Sequence, residues 1–189
     1  EVLGNVEGVA LGHNMMGIIH LLRGRHDRAL EELQKSLDAS TRIGDQAGTA
    51  LSLDTAGIVY AQLGEYDRSR QRFEASLALR RKIGDQWGIA SSLRTLAVVH
   101  VETGAFGPAL ECASSSLEIA REIGDRWGVG FALDALGATY LARGEHDRAL
   151  SLLEEAREVR ESIGDRWGVA RALGNLGRLF MERGQFDRA

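Results

Sequence analysis

The chain has 189 residues, of which 44% are hydrophobic and 26% are charged, and its formal net charge is −4. This composition excludes intrinsic disorder, and the acidic balance argues against nucleic acid or an anionic membrane as a partner. Because Cys112 is the single cysteine, no internal disulfide can form, and we expect a cytoplasmic protein. No apolar run approaches the roughly 18 residues of a membrane span.

A six-residue motif recurs every 40 residues. The pattern Ile-Gly-Asp-x-x-Gly is found at residues 43–48, 83–88, 123–128 and 163–168, with a degenerate copy at residues 4–8. Gly44 suits the left-handed residue that follows a helix, because it has no Cβ. Asp45 suits the N-cap of the next helix, since its carboxylate can accept from a free backbone N–H. Repetition of this stop-and-start pattern predicts a stack of helices.

Each repeat predicts two helices, taken here in the second repeat. Helix A spans about residues 46–62 and helix B about residues 67–83, with apolar side chains at three- and four-residue steps. Gly64 lies in the turn between them, and Asp67 is the predicted N-cap of helix B. Gly57 lies inside helix A, where glycine costs about 1 kcal/mol relative to alanine. We therefore expect a neighbouring helix to approach closely at this glycine.

The fourth repeat resembles a tetratricopeptide repeat. The residues that carry the resemblance are Leu133, Leu136, Gly137, Tyr140, Gly144, Ala149, Leu153 and Ala156. The second repeat follows the same pattern with Ser69 and Ser76 at the two alanine positions, and the third departs further with Ala97 and His100. A standard unit has about 34 residues. The 40-residue units therefore resemble the long variety found in spindle-orientation scaffolds and in sensor arrays of bacterial multidomain regulators.

The resemblance implies an all-α fold, a right-handed superhelical solenoid of antiparallel helix pairs. We expect a single domain over residues 1–189, with repeats at about 5–44, 45–84, 85–124 and 125–164 and a partial repeat at 165–189. Because the chain stops one turn into the fifth helix B, we interpret it as a segment of a longer protein. The residues expected to lack a covering helix are Leu173, Leu176, Leu179 and Phe180. We expect copies to associate end to end through this uncapped C-terminal repeat.

No candidate catalytic or metal site agrees with the register of the repeats. Cys112 and His100 could suggest a thiol nucleophile with its base. However, His100 occupies the tyrosine position of helix A, and Cys112 occupies a variable position of helix B. His20 shares the repeat position of His100 two repeats away, too far to ligate one metal when helix axes are about 8–10 Å apart. The glycines are not followed by a phosphate-binding lysine. We expect no enzymatic activity, no metal and no cofactor.

The inner face of helix A is the predicted binding surface, because the resemblance implies that it lines a concave groove. It mixes apolar residues with few charges of both signs, which is typical of interaction sites. The predicted groove residues are Leu11, Asn14, Ile18, Asp54, Ile58, Arg94, Val98, Phe131, Asp134, Arg171, Asn175 and Arg178. The alternative is that these side chains pack on one another. Asn175-Leu176-Gly177 with Arg171 and Arg178 resembles the acidic-peptide readers of spindle scaffolds, which implies an acidic contact near the C-terminal end.

Three tryptophans, Trp87, Trp127 and Trp167, recur at the start of helix A. They either pack between repeats or form an aromatic edge that docks a partner. The sequence as a whole predicts a module that binds a protein or peptide, with no nucleic acid and no membrane as partner. The alternative is a sensor or autoinhibitory arm of a bacterial signalling ATPase, transcription regulator or caspase-like protease.

Overall fold

The computed structural model describes the backbone of residues 2–188 and the side chains of residues 6–187. These residues form nine α-helices and a short 3-10 helix, and contain no strand. The helices are α1 (Val2–Leu22), α2 (His26–Arg42), α3 (Gln46–Gln62), α4 (Tyr66–Ile83), α5 (Gln86–Glu102), α6 (Phe106–Glu122), α7 (Arg126–Ala142), α8 (His146–Ser162), α9 (Arg166–Glu182) and the 3-10 helix Phe186–Arg188. Odd-numbered helices are the A helices and even-numbered helices are the B helices. The all-α class is confirmed, and no helix within residues 2–188 combines the length and apolarity that a membrane crossing requires.

The junctions between helix pairs have the structure that the repeated motif predicts. Gly44 has φ of 71°, and the equivalent glycine at the next three junctions has φ of 72°, a region that suits glycine. Asp45 then caps α3, because its Oδ1 accepts a hydrogen bond from the backbone N–H of Gly48 at 2.9 Å. The same bond, at 2.8 to 2.9 Å, is made by the caps Asp85, Asp125 and Asp165.

The predicted N-caps of the B helices are wrong. Helix α4 begins at Tyr66 and α8 at His146, so their N-caps are Glu65 and Glu145, whose side chains make no cap hydrogen bond. Asp67 lies inside the first turn of α4. Its negative charge still favours the helix there, because the unpaired N–H groups of a helix N-terminus carry partial positive charge.

The described chain divides into two compact units, residues 1–92 and residues 93–189, with the division inside α5. In the first unit α1 packs against α2 and α3, and α3 packs against α2 and α4. A core cluster consists of Leu21, Ala29, Leu33 and Val59. A Cβ on Gly57 would lie only 2.8 Å from the ring of Phe73 on α4. The close approach predicted at this mid-helix glycine is confirmed.

In the second unit α7 packs against α6, α8 and α9, and α8 packs against α9. One core cluster includes Ala97, Ala113, Leu117, Leu133, Leu136 and Ala156, and another includes Leu141, Leu153, Leu176, Leu179 and Phe180. The expectation that Leu176, Leu179 and Phe180 lack cover is therefore wrong, because α7 and α8 bury them. Of the four residues named for the C-terminal repeat, Leu173 is exposed.

Candidate binding surface

Nine large apolar side chains are exposed on the described parts of the neighbouring helices α1 and α3 of the first unit. We term five of them the apolar face, and they are Leu11, Met15, Ile18, Leu51 and Ile58. Three of them, Leu11, Ile18 and Ile58, belong to the predicted groove residues. Burying one such side chain is worth roughly 1.5–3 kcal/mol. A cluster that stays in water on adjacent helices is therefore typical of an interaction site rather than of a core.

Two other predicted groove residues of the first unit are engaged within it. Asn14 is buried, and its amide donates to the Oγ1 of Thr55 at 3.4 Å. Asp54 is half-buried, and its Oδ2 accepts a hydrogen bond from Nη2 of Arg80 at 2.7 Å. The hydroxyl of Ser92 donates to the Oδ1 of Asp54 at 3.1 Å. Both side chains therefore hold helices of the unit together.

Arg80 joins Asp54 to the capping residue of the next A helix. Its Nη1 donates to the carboxylate of Asp85, the residue that caps α5. We term Asp54, Arg80 and Asp85 the first arginine junction. Burial raises the pKa of the Asp54 carboxyl, while a hydrogen bond from Ser76 and the charge of Arg80 act in the opposite direction.

The second unit contains an equivalent set, Asp134, Arg160 and Asp165, which we term the second arginine junction. Nη2 of Arg160 donates to Oδ2 of Asp134 at 2.7 Å, and Nη1 donates to the carboxylate of Asp165. The Arg160 and Asp165 side chains are 0% and 4% exposed, whereas those of Arg80 and Asp85 are 8% and 30% exposed. The charges of the second arginine junction are thus more fully removed from water than those of the first arginine junction, and they depend more strongly on one another.

Three arginines surround the ring of Phe131 in the second unit. The guanidinium carbons of Arg94, Arg160 and Arg171 lie 4.7, 4.3 and 4.4 Å from the ring centroid. These distances are within the roughly 6 Å of a cation–π interaction. Nη2 of Arg171 also donates to Oδ2 of Asp134 at 2.8 Å. The structure thus brings four predicted groove residues together, of which Asp134 is buried and Arg171 is exposed.

Most of the remaining predicted residues are exposed. Val98 and Arg178 are exposed, and Asn175 is half-buried. Trp87, Trp127 and Trp167 are all exposed. Their exposure favours the docking interpretation over packing between repeats, and the role of the tryptophan edge stays a prediction.

The sequence interpretation missed Arg80 and Arg160. Both stand at one repeat position, which Ser40 and Ala120 occupy in the first and third repeats. An available sign was that the aspartates of helix A, Asp54 and Asp134, recur with the same 80-residue spacing as these arginines. A charged pair that recurs in alternate repeats indicates a structural contact between its members.

A pocket of about 360 Å³ adjoins the apolar face at Ser40 and Asp45, where the first repeat meets the second. We term this place the first junction, and it precedes both arginine junctions in the chain. Its lining includes the exposed side chains of Leu11, Leu51 and Trp87 and the buried side chain of Ser40. Asp45, the capping residue of α3, also lines it. This pocket lies where the first repeat carries serine instead of the arginine of the two arginine junctions.

The residues considered for catalysis and metal binding form no recognisable site in the described structure. Cys112 is half-buried on α6, and His100 is half-buried on α5. Within the described residues, no group of three or more histidine, cysteine, aspartate or glutamate side chains has an arrangement that could hold a metal ion.

Comparison with known families identifies one match. The family model described as tetratricopeptide repeat matches residues 8–82, 57–122 and 128–189. No curated protein sequence matches the chain.

Solved structures match nearly the whole chain at low sequence identity. BtubC (BKLC) from P. vanneervenii is 18% identical with a TM-score of 0.83, covering 97% of this chain and 76% of that one. A Rap protein complexed with Competence and Sporulation Factor is 16% identical with a TM-score of 0.84, covering 94% and 50%. A Signal Transduction ATPase with Numerous Domains from Pyrococcus horikoshii, which has a tetratricopeptide repeat sensor, is 20% identical with a TM-score of 0.80, covering 98% and 28%. These similarities concern the fold, and this chain spans half or less of the last two proteins.

Proposed function

Because the chain belongs to the tetratricopeptide repeat family, we propose that it binds a protein or peptide through its A helices and performs no catalysis. The observation that carries the proposal is the apolar face of α1 and α3. Leu11, which also lines the pocket, is 53% exposed. A partner that covers the face would gain about 25 cal/mol for each Å² of apolar surface removed from water.

The helices present this face in a preformed arrangement. Leu11 and Ile18 lie seven residues apart on α1, and Leu51 and Ile58 have the same spacing on α3, so each pair lies on one side of its helix. Mid-helix glycines let the supporting B helices approach closely, as at Gly57. Little conformational freedom is therefore lost when a partner binds, which favours affinity.

The A helix at the C-terminal end of the second unit supports an acidic contact. Helix α9 carries Arg166, Arg171 and Arg178 but a single acidic residue, Glu182. Arg171 and Arg178 are both exposed and are seven residues apart, so they lie on the same side of the helix. We propose that they contact carboxylates of the partner.

The proposal is tested by selecting ligands from a peptide library displayed on phage. Selected peptides should bind the native chain and lose at least tenfold in affinity, about 1.4 kcal/mol, for a variant with Ile18→Gln and Ile58→Gln. Met16→Gln is the matched control, because Met16 is 45% exposed on α1 and lies on a different side of the helix from Leu11 and Ile18. Circular dichroism should show equal helicity in all three proteins, since each change is at an exposed position.

Selected peptides that bind the double variant and the native chain equally would contradict a role for the apolar face. For the acidic contact, Arg171→Gln with Arg178→Gln should weaken the binding of peptides that contain acidic residues and reduce its dependence on salt. Unchanged affinity for such peptides would contradict that part of the proposal.

A second candidate is a sensor or autoinhibitory arm of a bacterial signalling ATPase, transcription regulator or caspase-like protease. This candidate is favoured by a structural similarity. A signal-transduction ATPase with a tetratricopeptide repeat sensor matches 98% of this chain, and the match covers 28% of that protein. A nucleotide-binding motif in the flanking gene sequence would support this candidate, and flanks without one would favour a separate binding module. End-to-end association through the C-terminal repeat also stays a prediction, which sedimentation at high protein concentration would test.

A further inference from the structure

The pocket at the first junction corresponds to a place that an arginine side chain occupies elsewhere in the chain. Ser40 stands 40 residues before Arg80, and Asp45 stands 40 residues before Asp85. A Cβ on Gly88 would collide with Nη1 of Arg80 and Oδ2 of Asp85. At the equivalent Gly48, the first atoms met are Oδ2 of Asp45 and Oγ of Ser40. Ser40 is uncharged, so it cannot form with Asp45 the ion pair that Arg80 forms with Asp85.

Two polar side chains in the pocket, those of Ser40 and Asp45, have hydrogen-bonding capacity that no described side chain uses. The hydroxyl of Ser40 is 0% exposed and makes no hydrogen bond among the described residues. The carboxylate of Asp45 accepts the cap hydrogen bond of Gly48 through Oδ1. None of the described cations forms an ion pair with Asp45, whereas Asp85 and Asp165 are each paired with an arginine. A buried polar group without a partner costs free energy, which a suitable ligand would recover.

The charge and shape of the pocket suit a guanidinium group on an aliphatic stem. Asp45 and Glu7 supply carboxylates to its lining, and Arg80, the cation of the lining, is held by Asp54 and Asp85. The apolar part of the lining matches the methylene groups of an arginine side chain. The exposed indole of Trp87 offers a face for cation–π contact.

From these observations we infer that the pocket binds an arginine side chain of the partner. The guanidinium donates hydrogen bonds to the carboxylate of Asp45 and to the hydroxyl of Ser40. It thereby completes the junction that Arg80 completes one repeat later. The inference rests on the proposed function, since the pocket adjoins the apolar face through Leu11 and Leu51.

The test uses a blocked arginine, N-acetyl-arginine-N-methylamide, and the corresponding blocked citrulline as a neutral isostere. Two-dimensional NMR of the native chain should show saturable shifts at the amides of Ser40 and Gly48 with the arginine compound. Citrulline should bind at least tenfold more weakly, because its urea group carries no charge. Equal binding of both compounds, or no saturable shift up to about 50 mM arginine compound, would overturn the inference.

Two variants examine the geometry. Ser40→Arg should abolish the binding of blocked arginine, because the chain's own guanidinium then fills the pocket. Asp45→Asn should weaken it at least fivefold while it retains the helix, since asparagine caps a helix as well as aspartate does. Asp125→Asn is the matched control, because Asp125 makes the same cap bond to Gly128 at 2.9 Å but stands at the third-repeat junction, where Ala120 replaces Ser40. Arginine binding that survives both Ser40→Arg and Asp45→Asn would also overturn the inference.

The outcomes separate this inference from the proposed function. If blocked arginine fails to bind while library peptides still require Ile18 and Ile58, the inference is wrong and the apolar face stands. If the peptides are also indifferent to those residues, the proposed function is wrong. A blocked lysine that binds as tightly as blocked arginine, or more tightly, would contradict recognition of guanidinium.

Discussion

The first junction of the chain and the second arginine junction share a backbone but differ in what fills them. Asp45 and Asp165 cap their helices with nearly equal bonds, 2.9 and 2.8 Å from the N–H of Gly48 and Gly168. Arg160 lies over one of these glycines, and Ser40 lies over the other. The cap therefore does not need the arginine. The two junctions differ at the position of the arginine, which is Ser40 in the first repeat, and at the helix-A position of Asp134, which is Asn14 there.

The largest expected effect on stability comes from removing the arginine of the second arginine junction. Arg160→Ala should lower the free energy of unfolding by about 3–5 kcal/mol, because it leaves the carboxylate of Asp165 buried without a cation and leaves Asp134 only its pair with Arg171. Arg80→Ala should cost less, about 1–3 kcal/mol, since Asp85 is 30% exposed and keeps part of its hydration. Urea denaturation measures both. Arg157→Ala, which breaks a surface pair with Glu161 at 3.5 Å, should change stability little. A smaller loss for Arg160→Ala than for Arg80→Ala would break the comparison.

The next largest difference in stability should come from adding a methyl group to the glycine whose N–H donates to the capping aspartate. Gly168→Ala displaces Arg160 as well as Asp165, and we expect a loss of about 3 kcal/mol. Gly48→Ala meets only the short side chains of Asp45 and Ser40, so its loss should be near that of a helix cap, about 1 kcal/mol. Gly174→Ala is the control, because a Cβ there meets nothing within 4 Å and alanine favours the helix. Thermal unfolding would rank the three, and equal losses at residues 48 and 168 would count against the comparison.

A smaller effect should appear when the ion pairs of the second arginine junction are introduced by mutation at the first junction. Asn14→Asp alone should destabilise the chain, because it places an unpaired carboxylate at a buried position. Combining it with Ser40→Arg should recover this loss, with a coupling free energy of about 1–3 kcal/mol in a double-mutant cycle. Additive effects would show that the new arginine does not reach the new aspartate.

The smallest effect concerns pH. Burial raises the pKa of Asp54 above the ordinary aspartate value of about 3.9. The folded state therefore binds more protons than the unfolded state within the window from that value to the folded pKa, and stability falls as the pH rises through it. The free energy of unfolding of the native chain, minus that of Asp54→Asn, should decrease across this window and then level off. A difference that grows with pH would show that Arg80 dominates over burial.

The sequence predicted the parts of the fold that depend on local chemistry. The left-handed glycine at Gly44 and the cap at Asp45 act within six residues, and the predicted bounds of helix A, 46–62, match α3. The caps of the B helices were mispredicted because the turn after Gly64 leaves room for one residue, so Glu65 takes the capping position before Asp67.

The candidate site was less accessible from the sequence. Asn14 and Asp134 were predicted to line a groove, but each is buried by contacts with residues at least 26 positions away. Helical periodicity places a residue on a side of its helix and does not reveal which distant side chain meets it. Leu11, Ile18 and Ile58 depend on periodicity alone, and they are exposed as a binding surface requires. The groove itself stays a prediction, as does the single-domain assignment.

The tryptophan edge has a practical consequence for spectroscopy. The chain has three tryptophans, Trp87, Trp127 and Trp167, which are 61%, 51% and 90% exposed, and each follows a capping aspartate by two residues. Only Trp87 belongs to the first unit, where it lines the pocket. Replacing the other two by phenylalanine would leave one indole as an intrinsic fluorophore at the pocket. Its emission and its quenching by acrylamide would then report directly on what enters there.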